Sequence, residues 1–449
     1  MINQLRDALR AEADAVPAYS VYEPALRTAR RRRRRRWSVA LTAVAVFILL
    51  AISGVPGVFS ADAPPAGTTG TQPSIPDRLA FPPAFWPSVT GSPAGPASVL
   101  FGGQGFAPDH PERLLENEGD LAVVGATSDV YRMLRVTGYE THAGEDVLLS
   151  PDGRSLALPS GITGTPSLLD LSTGGKVKLK GFSAGDYVTP MAWSPDGRTL
   201  AVLVNRGSTQ IGLVDVPDGS FRAVSTVDPA SFARGFDVAF APDGRQWAYL
   251  NEGKIIIVRP DLTEVGRIDV GPSTWLAGKG AWAPDGRLMT VTLADGHWQL
   301  RGIDLATILS GQPAATANGR AWSVEGSELA AVRLLGWIGP QPVVAAYKRA
   351  RNTVTGGRPE THYQAVASVE LWRLTDKDPE VLLTAPDNLM SIDISDSAIA
   401  GGLTRPADPP RYGILTVLAV AGPLMIASVI GWVLLRRRIR KTRGRASAA

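Results

Sequence analysis

One short phrase occurs four times in the middle of this chain: Ser150-Pro151-Asp152-Gly153-Arg154, Ser194-Pro195-Asp196-Gly197-Arg198, Ala241-Pro242-Asp243-Gly244-Arg245 and Ala283-Pro284-Asp285-Gly286-Arg287. From Asp to Asp the steps are 44, 47 and 42 residues, a period that fits one four-stranded β-propeller blade per repeat. Proline presets φ at the first central turn position, aspartate tolerates the second, and glycine accepts the positive φ that follows. Short apolar runs flank each copy, as Met191-Ala192-Trp193 and Leu200-Ala201-Val202-Leu203-Val204 flank the second. The phrase therefore reads as a tight hairpin, with Asp152, Gly153, Asp196, Gly197, Asp243, Gly244, Asp285 and Gly286 as structural turn residues.

A worn fifth copy is expected at Ala321-Trp322-Ser323-Val324-Glu325-Gly326-Ser327-Glu328-Leu329-Ala330, where Glu325 falls 40 residues after Asp285. Upstream, Ser98-Val99-Leu100-Phe101 and Leu121-Ala122-Val123-Val124 alternate like blade strands without the phrase. Ile392 to Ala400 reads as one more hairpin. The fold class is all-β, a propeller of six four-stranded blades with seven as the alternative, flanked by two transmembrane α-helices. An open ring would leave unpaired strand edges, so the segments near Pro96–Phe101 and Ile392–Leu403 are expected to complete one blade together. Trp193, Trp282 and Trp322 recur in one register and read as packing residues. Tyr347 to Arg358 interrupts the pattern and reads as an inserted basic surface loop.

The net charge of +4 conceals segregation. Residues 1–36 carry ten basic and four acidic residues and 436–449 seven and none, so the centre holds an acidic excess of nine. Trp37 to Phe59 contains no charge, and its 23 residues reach roughly 34 Å as a helix, enough to cross a bilayer core. Seven arginines, Arg30 to Arg36, abut it. A second uncharged stretch, Tyr412 to Leu435, ends directly in Arg436-Arg437-Arg438. Basic flanks stay cytoplasmic, so Arg30, Arg36, Arg436 and Arg438 set a topology with both termini inside and the acidic centre outside. Ala61-Asp62-Ala63 has the form of a signal-peptidase site, which leaves cleavage after the first span as the alternative; the long polar leader and long apolar segment weigh against it. Because the basic residues lie beside apolar spans, nucleic acid is not an expected partner, and the membrane is.

The expected organisation is a cytoplasmic basic head (1–36), a first span (37–59), a Pro/Gly-rich spacer (60–96), the propeller (97–408), a second span (412–435) and a basic tail (436–449). The head has a short, weakly amphipathic stretch before Pro17, so it is either a solvated tail or a dock for a cytoplasmic partner. Within the spacer, Leu79, Phe81, Phe85 and Trp86 are apolar anchors, so its later half is expected to be partly ordered, while the rest is too rich in Pro, Gly, Thr and Ser to order by burial.

Trp193-Ser194-Pro195-Asp196-Gly197-Arg198 with Leu200-Ala201, and Phe240-Ala241-Pro242-Asp243-Gly244-Arg245, resemble the repeats of TolB-like and WD-repeat-like β-propellers across about residues 97–405. The complete layout also resembles uncharacterised membrane proteins of high-GC actinobacteria. The resemblance implies a surface-exposed binding domain. The Gly-His and Trp-Asp pairs of true WD repeats are missing, so their partners do not carry over.

Chemistry is sparse. The chain has no cysteine and four histidines, which excludes disulfides and thiolate metal sites. Gly181-Phe182-Ser183-Ala184-Gly185 matches the nucleophile-elbow pattern, but the elbow needs a following helix and Asp186 onward runs into the next repeat. The four aspartates sit in separate blades and do not converge on one ion. No catalytic, cofactor or metal site is expected. The sequence points to a non-enzymatic binding, scaffold or sensor module for another envelope protein or a cell-wall ligand such as a peptidoglycan fragment. The alternatives are a lactonase-like hydrolase with its site in the central channel, and a regulator of a cytoplasmic transcription factor acting through residues 1–36.

Overall fold

The computed structural model describes residues 72–410, apart from 83–85, 104–120, 135–140, 184, 230–231, 234, 306–320, 325–327, 351–357 and 363, together with 428 and 431–432. The expected head, first span and tail, with Arg30, Arg36, Arg436 and Arg438, lie outside the described residues, as does the second span except for Ser428, Gly431 and Trp432, which are helical. Among the described residues no helix is long and apolar enough to cross a membrane.

The repeat unit folds into blades because its strands alternate. After β1 (Ile75–Pro76), blade 1 takes β2 (Ala97–Gly103), β3 (Leu121–Gly125) and β4 (Tyr131–Leu134). Blade 2 is β5 (Leu148–Leu149), β6 (Ser155–Leu158), β7 (Ser167–Asp170) and β8 (Lys176–Lys178), with helix α1 (Ser160–Thr163) between β6 and β7. Blade 3 is β9 (Tyr187–Trp193), β10 (Thr199–Asn205), β11 (Thr209–Asp215) and β12 (Phe221–Thr226). Blade 4 is β13 (Val238–Phe240), β14 (Trp247–Asn251), β15 (Lys254–Val258) and β16 (Glu264–Asp269). Blade 5 is β17 (Thr274–Leu276), β18 (Leu288–Ala294), β19 (His297–Ile303) and β20 (Ala321–Val324). Blade 6 is β21 (Leu329–Ile338), β22 (Gln341–Arg349), β23 (Val366–Arg373) and β24 (Glu380–Leu383). Then β25 (Leu389–Ile394) returns to blade 1, followed by α2 (Asp396–Gly401) and β26 (Thr404–Arg405).

Six four-stranded sheets result, and β25 pairs with β2 (Val99 opposite Ile394, Phe101 opposite Ile392) to close the ring. The two ends of the propeller region thus join in one blade, and the seven-blade alternative is set aside. In β10, Leu200, Val202 and Val204 pack toward blade 2 while Ala201 and the partly buried Leu203 pack toward blade 4, the period-two alternation that lets each blade face two neighbours. In blade 4, Trp247 stacks between Phe240 (5.9 Å) and Tyr249 (5.2 Å).

Three sequence expectations are corrected. The worn fifth copy is not an intrablade hairpin: Ala321–Val324 is the outermost strand of blade 5 and Leu329–Ile338 the innermost of blade 6, so its resemblance to the phrase comes from any strand-turn-strand junction. Trp322 accordingly packs edge-on against Trp337 of blade 6 (5.8 Å), whereas Trp282 donates its Nε1 hydrogen to the Ala239 carbonyl of blade 4 (3.2 Å). Tyr347, Lys348 and Arg349 are not loop but the end of β22, because the buried Tyr347 and the Lys348–Glu370 ion pair (2.7 Å) continue the strand pattern. Ile392 to Ala400 is a strand followed by a helix rather than a hairpin.

The spacer is expected to be partly ordered in its later half. Its C-terminal part is ordered and crosses the outer edges of blades 6 and 1. Leu79 N–H donates to the Thr384 carbonyl (3.0 Å) beside β24, and Val89 N–H to the Met133 carbonyl (2.9 Å) of β4, with Trp86 Nε1–H bonding Tyr131 O (3.0 Å). Covering these outer edges removes two templates for unwanted strand pairing. The strap is fastened by a parallel pair, β1 with β26. Over it Arg405 donates to the carbonyls of Ser74 (2.6 Å), Gly125 (3.0 Å) and Ser128 (3.1 Å) and to the Asp129 carboxylate (3.1 Å).

Candidate functional site

Strands β5, β9, β13, β17, β21 and β25 stand innermost, one per blade, and four strands per blade bring each back in the same direction. The channel between them has one mouth where the inner strands begin and another where they end. The four repeated phrases all lie at the second, between inner and second strand. In each, the glycine N–H donates to the carbonyl three residues back (2.8–2.9 Å), and glycine φ is +67° to +83°. Asp Oδ1 accepts the N–H of the following arginine (2.9–3.2 Å). In the two serine copies the hydroxyl also donates to that Oδ1 (2.7 and 2.6 Å) and accepts from Ser155 or Thr199 N–H. The Ser194 hydroxyl, with the Arg198 amide, holds the Asp196 carboxyl below the usual carboxylate range. These contacts are local to each turn, so the phrase shapes the rim.

Inside the hairpin mouth lies a cavity of about 50 Å³, room for a few waters or a single side chain. Blades 2 to 4 give it an apolar wall of Leu148, Met191, Trp193, Val238 and Phe240, while blades 5, 6 and 1 supply Lys279, Arg333, Asp393 and Asp396. Lys279 Nζ lies 3.0 Å from Asp393 Oδ1 and 2.8 Å from Asp396 Oδ1 and donates to the Ile394 carbonyl. Burial opposes its charge, but the two carboxylates outweigh that and push the ammonium above the usual lysine range. Asp393 is saturated: Oδ2 accepts Leu149 N–H (3.0 Å) and Oδ1 accepts Ile394 N–H (3.0 Å) beside Lys279. Asp396 is half exposed at the rim.

Arg333, 1% exposed on β21, closes the far end of this cavity. It donates to the carbonyls of Gly144 (2.9 Å), Ala143 (3.4 Å) and Ile392, stands 3.6 Å from Glu145 and lies over the Tyr347 ring at 5.6 Å. Gly144 and Gly235 make room for it. Both have positive φ, a Cβ on Gly144 would collide with the guanidinium, and one on Gly235 would approach it to 2.8 Å.

Beyond Arg333, where the inner strands begin, are two more buried acids, Glu145 just before β5 and Asp237 just before β13. The end of the inserted segment, Arg358 to Thr361, crosses this mouth. Arg358 reaches the Phe232 carbonyl (3.4 Å) and Glu360 N–H the Ala330 carbonyl (3.4 Å). Among the described residues, Arg333 and the segment Arg358 to Thr361 thus stand at the end of the channel where the inner strands begin.

The four phrase aspartates, expected to remain apart, occupy separate blades, and among the described residues no group of three His, Cys, Asp or Glu is placed to hold a metal. Ser183 precedes strand β9 rather than a helix, and its N–H is bonded to Asp186 (2.6 Å). The channel is not lined only by small apolar side chains. Sequence reading missed Lys279, Arg333, Asp393, Glu145 and Asp237. The available signal was a lone charge inside an apolar run, as in Ala331-Val332-Arg333-Leu334 and Ile392-Asp393-Ile394.

No family model matches the chain. An uncharacterized protein of Agrobacterium fabrum is 28% identical over 260 residues, 52% of this chain and 85% of the relative. Among solved structures, the putative TolB from Agrobacterium tumefaciens aligns with 67% of this chain and 98% of its own at 15% identity and a TM-score of 0.37. TolB from Acinetobacter baumannii aligns with 59% and 65% at 14% identity and 0.33, and a β-propeller domain from Myceliophteria thermophila with 61% and 82% at 14% identity and 0.35. The six sheets themselves define the architecture; these proteins are what the chain is similar to.

Proposed function

We propose that this protein is a membrane-anchored, extracytoplasmic and non-enzymatic binding module that receives a protein or cell-wall partner at the hairpin mouth of its propeller. The observation that carries the reading is the lining of the channel: an apolar wall faces charged side chains that are tied to one another, an arrangement suited to holding a partner's protruding group. Lys279 and Asp393 already satisfy each other, which favours recognition over proton transfer. The uncharged stretches 37–59 and 412–435 with their arginine flanks support two spans with both termini cytoplasmic.

Two experiments test it. The chain contains no cysteine, so single cysteines report topology cleanly: in intact cells an impermeant maleimide labels R245C, whose parent side chain is 86% exposed, and spares R33C and A449C. The opposite labelling overturns the topology. For binding, full-length protein in nanodiscs is screened against peptidoglycan fragments and solubilised envelope proteins, and Lys279→Ala weakens whichever ligand is retained; unchanged affinity rules out the channel as its site. A channel hydrolase is the second reading, motivated by the charged lining, and turnover of a lactone or ester panel lost in Asp393→Asn would establish it.

A further inference from the structure

The strap shields the outer edges of blades 6 and 1, but it reaches blade 2 only at the turn before its last strand, where Gly95 N–H donates to the Leu171 carbonyl (3.0 Å). That outermost strand, β8, is bare. All of its residues are exposed, and Val177, at 65%, is the most exposed large apolar side chain among the described residues. Leu179 N–H donates to the Pro166 carbonyl, Asp170 N–H donates to the Gly175 carbonyl, and Leu168 stands opposite Val177. In an antiparallel pair of that register the odd-numbered residues of β8 bond inward. The N–H and C=O groups of Lys176 and Lys178 therefore face outward, with no strand beyond them among the described residues.

Charge sets this edge apart. Lys176, Lys178 and, just past the strand, Lys180 alternate with Val177 and Leu179 in a central region that is acidic as a whole. Among the described residues neither Lys176 nor Lys178 has an anionic partner. Partial desolvation, and then the charge of Lys178, hold the Lys176 ammonium below the usual lysine range. The outer strands of the next three blades differ: β12 carries a single arginine, Arg222, β16 carries Glu264, Arg267 and Asp269 with the first two paired at 2.9 Å, and β20 carries no charge. Edge lysines keep neutral strands from pairing, but a strand of opposite charge turns the same ammonium groups into attractive cross-strand partners.

We propose that β8 is a docking edge for an extended acidic segment of another protein, which adds to blade 2 as a fifth strand. The outward N–H and C=O groups of Lys176 and Lys178 bond the incoming backbone, its acidic residues lie opposite the two ammonium groups, and an apolar residue between them covers Val177. The partner segment thus alternates acidic and apolar residues. This edge lies on the outside of the ring, away from the hairpin mouth, so it stands or falls independently of binding there.

The test uses the full-length protein in nanodiscs of uncharged lipid, titrated with a fluorescein-labelled peptide of alternating Glu and Val about eight residues long, within the usual strand range. The peptide is expected to bind and to weaken as salt rises through about 0.1 M, where the screening length is about 10 Å; a Lys-Val peptide of equal length should not bind. Lys176→Glu combined with Lys178→Glu weakens the acidic peptide about tenfold or more, because two attractive cross-strand pairs become repulsive. Both side chains are exposed, so the fold is kept, and Arg245→Glu at the hairpin rim leaves the affinity unchanged. Bound peptide slows hydrogen exchange at the Lys176 and Lys178 amides and not at Val177, whose amide faces Leu168. No binding, affinity undiminished in the double variant, or binding without slowed exchange at those two amides overturns the proposal. Inorganic polyphosphate that competes while exchange stays unslowed by the peptide would mark a general polyanion surface and overturn it as well.

Discussion

Blades 2 to 5 and blades 6 and 1 solve the same structural problem by different means. Each of the former carries the repeated phrase, and its hairpin is held by bonds between residues no more than five apart, such as Asp196 Oδ1 to Arg198 N–H and Ser194 Oγ to Thr199 N–H. Blades 6 and 1 lack the phrase and are held by long-range contacts: Arg333 to Ala143 across 190 residues, Asp393 to Leu149 across 244, Arg405 to Gly125 across 280. Where the repeat is intact the hairpins are fastened locally and the blades give the channel its apolar wall and Lys279; where it is broken, long-range contacts close the ring and supply the rest of the charged lining. Arg333, Asp393 and Asp396 all come from the two blades without the phrase.

Arg333→Leu should break this contrast most sharply. It strands the Ile392, Ala143 and Gly144 carbonyls and removes the guanidinium 3.6 Å from Glu145, and unmaking a buried charged contact typically costs about 3–5 kcal/mol. Thermal unfolding of the full-length protein is the measurement, with Arg245→Ala on a phrase-bearing blade as control, expected within about 0.5 kcal/mol. Arg333→Lys should recover only part, because an ammonium does not reproduce the guanidinium fork. If both arginine losses cost the same, the division between local and long-range blades is wrong.

Glycines inside the phrase offer a second break point. Gly197 has φ +68° and open space around a prospective Cβ, so Gly197→Ala should cost about 1–2 kcal/mol from the left-handed backbone alone. Gly153 has φ +73°, but its Cβ would collide with the Ala97 carbonyl of blade 1, and its own carbonyl accepts Ala97 N–H (2.8 Å). Gly153→Ala should therefore cost about 1–3 kcal/mol more than Gly197→Ala, the usual range for forcing atoms into a packed contact. Equal losses would mean that blade 1 yields freely to its neighbour.

The fastening of strap and ring should respond more modestly. Arg405→Ala removes a guanidinium that is 11% exposed; loss of charge-assisted bonds of this kind costs about 1.5–3 kcal/mol. Its signature is spatial. Hydrogen exchange should quicken at Ile75, Asp77 and Ala407, whose N–H groups bond to Leu403, Arg405 and Asp77, while β10 and β11 stay protected. Uniform loss across all blades would show that the ring has no separately fastened segment.

These contrasts explain what was legible in the sequence. The turns at Asp152, Asp196, Asp243 and Asp285 could be read because their bonding partners lie within the phrase, and Leu200 to Val204 because alternation is a local pattern. Closure of the ring by Val99 and Ile394 was accessible through a physical requirement, the need to leave no open edge. Order in the later half of the spacer was legible from its apolar anchors Leu79 and Trp86, but the path of the strap escaped because their partners, Thr384 and Tyr131, lie far along the chain. The channel escaped for the same reason: Arg333 and Asp393 look like misplaced charges in apolar strands until the ring brings their acceptors to them. The resemblance of Ala321–Ala330 to the phrase misled because Trp-Ser followed by an acid-Gly pair describes a turn without saying which two strands it joins.

The smallest effect separates the two kinds of phrase. Ser150 and Ser194 bridge their own aspartate and the strand beyond it, whereas Ala241 and Ala283 occupy the same position with no side-chain bond to give, and blades 4 and 5 form nonetheless. Ser194→Ala should thus cost about 0.5–1.5 kcal/mol, the net value of an ordinary hydrogen bond, with the fold unchanged. It should also raise the Asp196 carboxyl toward the usual carboxylate range, since the Ser194 hydroxyl is the main influence holding it down. A carboxyl depressed in the folded state stabilises above its unfolded value and loses that contribution as pH falls, so the variant's acid unfolding should depend less on pH. The reverse substitution, Ala241→Ser, should recover a comparable stabilisation in blade 4, because Asp243 Oδ1 already accepts Arg245 N–H in the same geometry (2.9 Å). If Ala241→Ser gains nothing while Ser194→Ala loses, the serine hydroxyl is tuned to its own blade and the four hairpins are not interchangeable modules.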